Sequence, residues 1–257
     1  MPAPRNADVP CNRQTPSPPG APPRDRPTAQ RHRRWLCLLL VALLVPAAAD
    51  GPALDTATLE AVAQRHGTRA ADRLRAWRTL IDDYRGRPLA SRLAATNDFF
   101  NRLEFVDDSI HWGRADYWAT PVEFLISGGG DCEDFAIAKY FTLLELGVPE
   151  SRLRLTYVKA VRLNQAHMVL AYYATAAADP LVLDNLAVDV LPGSARSDLI
   201  PVYSFNGYGL WLAKARGRSQ RVGGAERLSL WQDLLARLQQ QSSRAGQAFA
   251  RTIEKSR

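Results

Sequence analysis

A chain of 257 residues with 46% hydrophobic residues can bury one good core or two small ones, which excludes a wholly disordered protein. Its formal charge of +7, with a sequence pI near 9.6, would suit a nucleic acid or an anionic membrane only if the basic residues gathered on one folded face. They do not gather. Outside a Pro-rich leader they fall as single Arg residues among Asp and Glu on helical stretches, so the charge reads as a solvated surface and no nucleic-acid partner is expected.

Residues 1–30 are rich in Pro and Arg, and no packed structure is expected of them; they read as a disordered or mis-assigned N-terminal extension. Residues 31–49 have the form of a secretory signal: the basic cluster Arg31 to Arg34, the apolar run Trp35 to Val45, then Pro46 and three alanines. The apolar run of about eleven residues is well short of the ~20 that span a bilayer as a helix. A signal removed after Ala49, with no permanent membrane span in the mature form, is therefore expected, leaving 50–257 as the folded domain.

That cleavage would remove Cys11 and Cys37 and leave Cys132 as the one thiol of the mature chain. An internal disulfide is then ruled out. A single cysteine in an exported protein is either buried and inert or kept for its chemistry, and its neighbours decide which.

In chain order, Leu59, Val62, Leu74, Trp77 and Ile81 fit amphipathic helix from Asp55 to about Arg85, with a break near Gly67. A second helix is expected over Leu89 to Leu103, then loop from Glu104 to Thr120. Thr120-Pro121 reads as an N-cap with proline at the first helical position, opening a short helix over Val122 to Ile126. Ser127 and the glycines 128–130 form a flexible turn into Asp131-Cys132-Glu133-Asp134 and the apolar run Phe135 to Leu146, which Gly147 and Pro149 close. Three strands follow at Leu153 to Val161, Gln165 to Tyr173 and Leu181 to Leu186, simplest as an antiparallel sheet. Pro201 to Ala213 adds a further strand, and Ala225 to Lys255 a polar helix with one apolar side. The class is α+β: a helix carrying Cys132 at its N-terminus, packed on an antiparallel sheet.

A thiol attacks a carbonyl as thiolate, and its pKa falls at a helix N-terminus or beside an imidazolium. Cys132 has the first condition by position. The glycines before it let a substrate backbone approach and leave N–H groups to stabilise an oxyanion. An inert cysteine is not usually flanked by three carboxylates. Of the three histidines past the signal, His66 lies at a polar helix end and His111 in an aromatic loop, whereas His167 begins an apolar strand, aimed to the same face as Val169 and Ala171. Asp184 ends the next apolar run, where an unpaired charge would be costly. If the two strands are neighbours, Asp184 can orient the imidazole and fix the tautomer that takes the thiol proton.

Gly-Gly-Gly-Asp-Cys-Glu-Asp-Phe-Ala, Gln-Ala-His-Met-Val-Leu and Leu-Val-Leu-Asp-Asn closely resemble the motifs of the bacterial transglutaminase-like cysteine peptidases, over roughly Leu89 to Leu212. The resemblance implies a papain-like core with the triad Cys132, His167 and Asp184. It also implies a periplasmic endopeptidase that cleaves a large cell-surface adhesin near its N-terminus, so that biofilm cells are released. An inner-membrane cyclic-di-GMP receptor would sequester the enzyme. The family binds calcium beside the nucleophile, which maps to Asp131 and Glu133, with Asp134 a weaker match. Acidic residues in a first helical turn also complement the helix dipole without any metal, so both readings stand. Trp118 resembles a tryptophan that lines the active site in related folds, and it fits a core aromatic equally. The rival functions are a transglutaminase-like acyltransferase with the same triad and a non-catalytic binding module, the second disfavoured because all three triad positions are filled.

Overall fold

The computed structural model describes residues 55–213 and 219–241; the leader, the signal and residues 242–257 lie outside them. Among the described residues no helix is long and apolar enough to cross a membrane. The N-terminal helix is broken at Gly67, where a φ of +85° suits glycine alone, into α1 (Thr56–His66) and α2 (Thr68–Tyr84). Helix α3 runs Leu89–Phe100, shorter than the expected span because a turn follows Asn101. The stretch read as loop holds a two-residue strand, β1 (Glu104–Phe105), and one helical turn, α4 (Asp108–His111). Helix α5 (Pro121–Ser127) starts as expected and has a full capping box between Thr120 and Glu123.

The glycine run is not a flexible turn. Gly129 and Gly130 form β2, which pairs in parallel with β1, and both are buried. A Cβ on Gly129 would stand 2.8 Å from the Glu104 carbonyl oxygen, and one on Gly130 would stand 2.2 Å from Asp134 Oδ2. The glycines are needed for this close approach, which delivers the chain to α6 (Cys132–Glu145) with Asp131 as N-cap residue.

The remaining strands are β3 (Leu153–Ala160), β4 (Gln165–Tyr172), β5 (Leu181–Leu183), β6 (Leu191–Pro192), β7 (Leu199–Asn206), β8 (Gly209–Ala213) and β9 (Ser219–Gly223). They form one antiparallel sheet in the order β6-β5-β4-β3-β7-β8-β9. The single strand expected over 201–213 is a hairpin turning at Gly207-Tyr208, and β6 and β9 carry too few apolar residues to be read as strands. A last helix, α7, covers 229–241, preceded by a 3₁₀ turn at Ala225–Arg227.

Helix α6 packs on β4 and β3 and is flanked by α3 and α5. The core between them joins Phe135, Ile137 and Leu143 to Leu155, Tyr157, Met168, Leu170, Leu183 and Phe205, while Val158, Val169 and Val182 form a separate cluster. Polar ties fix the layers: Trp77 Nε1 donates to Thr142 Oγ1 at 2.8 Å, and Arg92 Nη1 caps the end of α6 through the Leu146 carbonyl at 2.8 Å. Substituting Gly129→Ala should destabilise the protein by about 1–3 kcal/mol, because the obstruction is backbone and cannot rotate away; a urea midpoint equal to that of the parent would show that β1 and β2 do not need this approach.

Candidate active site

Cys132, at the first position of α6, is 1% exposed, and its Sγ donates to Glu133 Oε2 at 2.8 Å. Glu133, itself fully buried, accepts at Oε1 from the Tyr157 hydroxyl at 3.1 Å, and the Tyr157 ring stacks on Tyr203. The carboxylate therefore bridges the start of α6 to β3.

His167 and Asp184 are brought together. His167 Nε2 lies 2.7 Å from Asp184 Oδ1, with both side chains almost wholly buried. The pairing follows from register: β4 and β5 are antiparallel neighbours, and Asp184 sits one residue past the end of β5, so its backbone is free of the ladder. Strand β4, which carries His167, is also a strand on which α6 packs. Burial alone would raise the Asp184 carboxyl, but the His167 ring, Arg196 and the Leu186 N–H (3.0 Å) together hold it well below the usual carboxylate range.

Sequence reasoning missed Arg196. It follows the 3₁₀ turn after β6, is 6% exposed, and donates from Nη2 to Asp184 Oδ2 at 2.7 Å. Asp198 accepts from Nε at 3.0 Å and from Nη2 at 2.9 Å, so the guanidinium is oriented on both sides. No motif announces it, since the contact depends on how the loop after β6 returns to β5.

A second group lies beside Cys132. Asp108, Asp131 and Asp134 are buried and can place one carboxylate oxygen each within 4.8 Å of one another. Asp134 Oδ1 accepts from Ala119 N at 2.7 Å, while its buried Oδ2 receives no hydrogen bond. Burial raises the Asp134 carboxyl well above its ordinary value, the Ala119 N–H pulling it down and the Asp108 and Glu133 charges adding to the rise. Three buried carboxylates this close cannot all stay ionised unless a cation lies among them, and an all-oxygen donor set suits a hard divalent ion such as calcium. The cluster fits a metal. Of the ligands mapped from sequence, Asp131 and the weaker match Asp134 lie in it; Glu133 is not part of it and turns to Cys132 and Tyr157 instead. Asp108 comes from the segment read as loop, and only the fold brings it to the helix start.

Trp118 is 3% exposed, stacks on Phe205 with ring centres 5.6 Å apart, and joins the main core. Its carbonyl accepts from Arg237 Nη2 at 2.5 Å, and Arg237 also binds the Tyr117 hydroxyl at 2.7 Å and the Glu123 carboxylate. Helix α7 thus clasps the segment that leads into α5.

A family of bacterial transglutaminase-like cysteine proteinases matches residues 85–198, a span that holds Cys132, His167 and Asp184. A solved structure of Legionella pneumophila LapG is 44% identical, with 74% of this chain and 100% of that one covered and a TM-score of 0.64. The chain belongs to this family. A calcium-bound LapG structure is 46% identical over 71% of this chain and 98% of that one, with a TM-score of 0.61. An EGTA-treated form is 45% identical over 70% and 97%, also with a TM-score of 0.61. No curated protein matches the chain. As a transglutaminase-like cysteine proteinase the protein is a cysteine peptidase with a papain-like fold, and the mixed helix and antiparallel sheet agree with that.

The depressed Asp184 carboxyl makes a stability prediction. Its contribution is fully present above its unfolded pKa, about 4, and is lost as pH falls towards the folded value. Arg196→Met removes one cause of the depression, so the loss should begin at the same pH, which the unfolded value sets, but end at higher pH and be smaller in total than in the parent. Urea unfolding between pH 6 and pH 2 reads this, and superimposable profiles would show that Arg196 does not set the ionisation of Asp184.

Proposed function

We propose that Cys132 is the nucleophile, His167 the general base and Asp184 the residue that orients it, in an endopeptidase acting on protein chains. The observation that carries this reading is the buried His167–Asp184 pair, held on a strand against which the helix headed by Cys132 packs. Because Nε2 is committed to Asp184, Nδ1 is the nitrogen left for the thiol. The Cys132–Glu133 hydrogen bond stabilises the neutral thiol, and attack requires that proton to pass to His167 Nδ1 instead. The thiolate then adds to the scissile carbonyl carbon, the C–N bond breaks as the imidazolium protonates the leaving amine, and a thioester remains. Water, deprotonated by His167, hydrolyses it and restores the thiol. Asp184 stays ionised throughout and stabilises the imidazolium.

The site held by Asp108, Asp131 and Asp134 takes calcium in this reading, as LapG does in its calcium-bound structure. Bound there, the ion supplies positive charge among the carboxylates next to the nucleophile. The substrate is a large surface adhesin, cut near its N-terminus in the periplasm so that biofilm cells are released. A cyclic-di-GMP receptor of the inner membrane is the regulator. These finer assignments rest on the motif resemblance and on the likeness to LapG.

Incubating the protein with the N-terminal region of a candidate adhesin should give a discrete fragment, and Cys132→Ala should abolish it while leaving the circular dichroism spectrum unchanged. Cleavage by that variant would remove Cys132 from the mechanism. Calcium should raise the melting temperature of the parent by several degrees, with the rise lost in Asp108→Asn, and chelator should depress cleavage. Full activity in excess chelator together with a melting temperature indifferent to calcium would return Asp131 and Asp134 to the role of helix-dipole partners.

A further inference from the structure

Lys139 is 0% exposed, in the middle of α6. A buried lysine is among the costliest groups in a protein interior, and this one does not reach a carboxylate directly. Its Nζ donates to Asn97 Oδ1 at 2.9 Å and to Asn101 Oδ1 at 2.7 Å, and stands 5.9 Å from the Phe135 ring centre. Each asparagine then acts on the segment after β5. Asn101 Nδ2 donates to the Asp184 carbonyl at 2.8 Å and to the Ala187 carbonyl at 2.9 Å. Asn97 Nδ2 donates to the carbonyls of Ala187 at 3.3 Å and Val188 at 3.1 Å.

The orientation of both amides is forced. An ammonium only donates and a carbonyl only accepts, so each Oδ1 must face Lys139 and each Nδ2 the loop. Hydrophobic replacement of Lys139 would leave the buried Asn97 Oδ1 and the half-buried Asn101 Oδ1 without this donor and remove the reason for the amides to point at the loop. Burial lowers the Lys139 ammonium to about 7, with Asp184 opposing the fall. A neutral amine still carries two hydrogens for the two asparagines, so the network persists through that titration. Positions 132 and 139 are seven apart, two helical turns, and therefore lie on one stripe of α6. The same helix that presents the thiol thus holds the backbone of Asp184.

We infer that Lys139, acting through Asn97 and Asn101, is a positioning residue for the catalytic aspartate, locking the 184–188 segment to the helix of the nucleophile so that Asp184 meets His167. The inference rests on the triad proposed above. Arg196 and the Leu186 N–H hold the Asp184 carboxylate, while the Lys139 network holds its main chain.

The test follows iodoacetamide alkylation of Cys132 against pH in the full-length protein, quantified by mass spectrometry on the peptide that contains Cys132, and needs no substrate. In Lys139→Met the displaced Asp184 no longer supports the imidazolium, so the midpoint for thiolate formation should rise by about one pH unit, with kcat on a cleaved substrate falling roughly tenfold and KM unchanged. Asn101→Ala, at the half-buried end of α3, should shift the midpoint in the same direction and serves if Lys139→Met does not fold. Lys139→Gln, whose amide NH₂ again offers two donors, should restore part of the shift. A fall in melting temperature with an unmoved alkylation profile in both variants would overturn the inference and leave Lys139 a structural group. Should His167→Ala also leave the profile unmoved, the triad reading fails instead, so the two failures are distinguishable.

Discussion

Helix α6 is enclosed by the sheet on one side and by α3 and α5 on others, and from Cys132 to Tyr140 every residue is buried. An enclosed helix of apolar side chains would need nothing more than close packing. This one carries Glu133, Asp134 and Lys139 into the interior, and each polar group there must find a partner or lose its charge. The partners come from separate elements: Tyr157 on β3 for Glu133, the Ala119 N–H ahead of α5 for Asp134, Asn97 and Asn101 of α3 and its cap for Lys139. Satisfying α6 therefore fixes where the surrounding elements stand, and Cys132 and the acidic cluster lie at its first turn.

The same logic governs the approach to the helix. Gly130 leaves room for Asp134 Oδ2, and Gly129 lets the chain lie against the Glu104 carbonyl. That pairing places the segment after β1, which carries Asp108, next to Asp131 and Asp134. The glycines are thus rigid parts of a crowded corner, valued for the absence of a Cβ and not for flexibility. The order of the chain supports this: β2 ends at Gly130, Asp131 takes the N-cap position, and Cys132 begins the helix with no spacer.

Much of this was legible in the sequence because it depends on local signals. The break at Gly67, the Thr120 cap, the start of α6, strands β3 and β4 and the start of β5, which ends at Leu183 and not Leu186, follow from caps, punctuation and apolar pattern, and the His167–Asp184 pairing follows from two adjacent strands. What was not legible depends on contacts distant in sequence. Asp108, Arg196 and the Asn97–Lys139–Asn101 network each need the fold before their partners are known. The β7–β8 hairpin was read as one strand because Gly207-Tyr208 interrupts an otherwise continuous aromatic-rich stretch with a turn too short to stand out. The motif resemblance put Glu133 ahead of Asp134 as a metal ligand, yet a single step along the helix, about 100°, sends Glu133 to the thiol and Asp134 to the acidic cluster.

The acidic surroundings of Cys132 set a problem that the rest of the site must answer. Asp131, Glu133 and Asp134 stand next to the sulfur in sequence and are all buried, so in the absence of compensating charge they oppose formation of a thiolate. The N-terminus of α6 acts in the other direction, but its effect is a fraction of a charge. In the proposed mechanism the thiol proton passes to His167, whose ring lies against the Asp184 carboxylate at 2.7 Å. A divalent cation between Asp108, Asp131 and Asp134 would cancel most of the remaining opposition without touching the sulfur. On this argument a cation held by Asp108, Asp131 and Asp134 and an imidazolium paired with Asp184 would act to the same end, each offsetting negative charge around the thiol proposed as nucleophile.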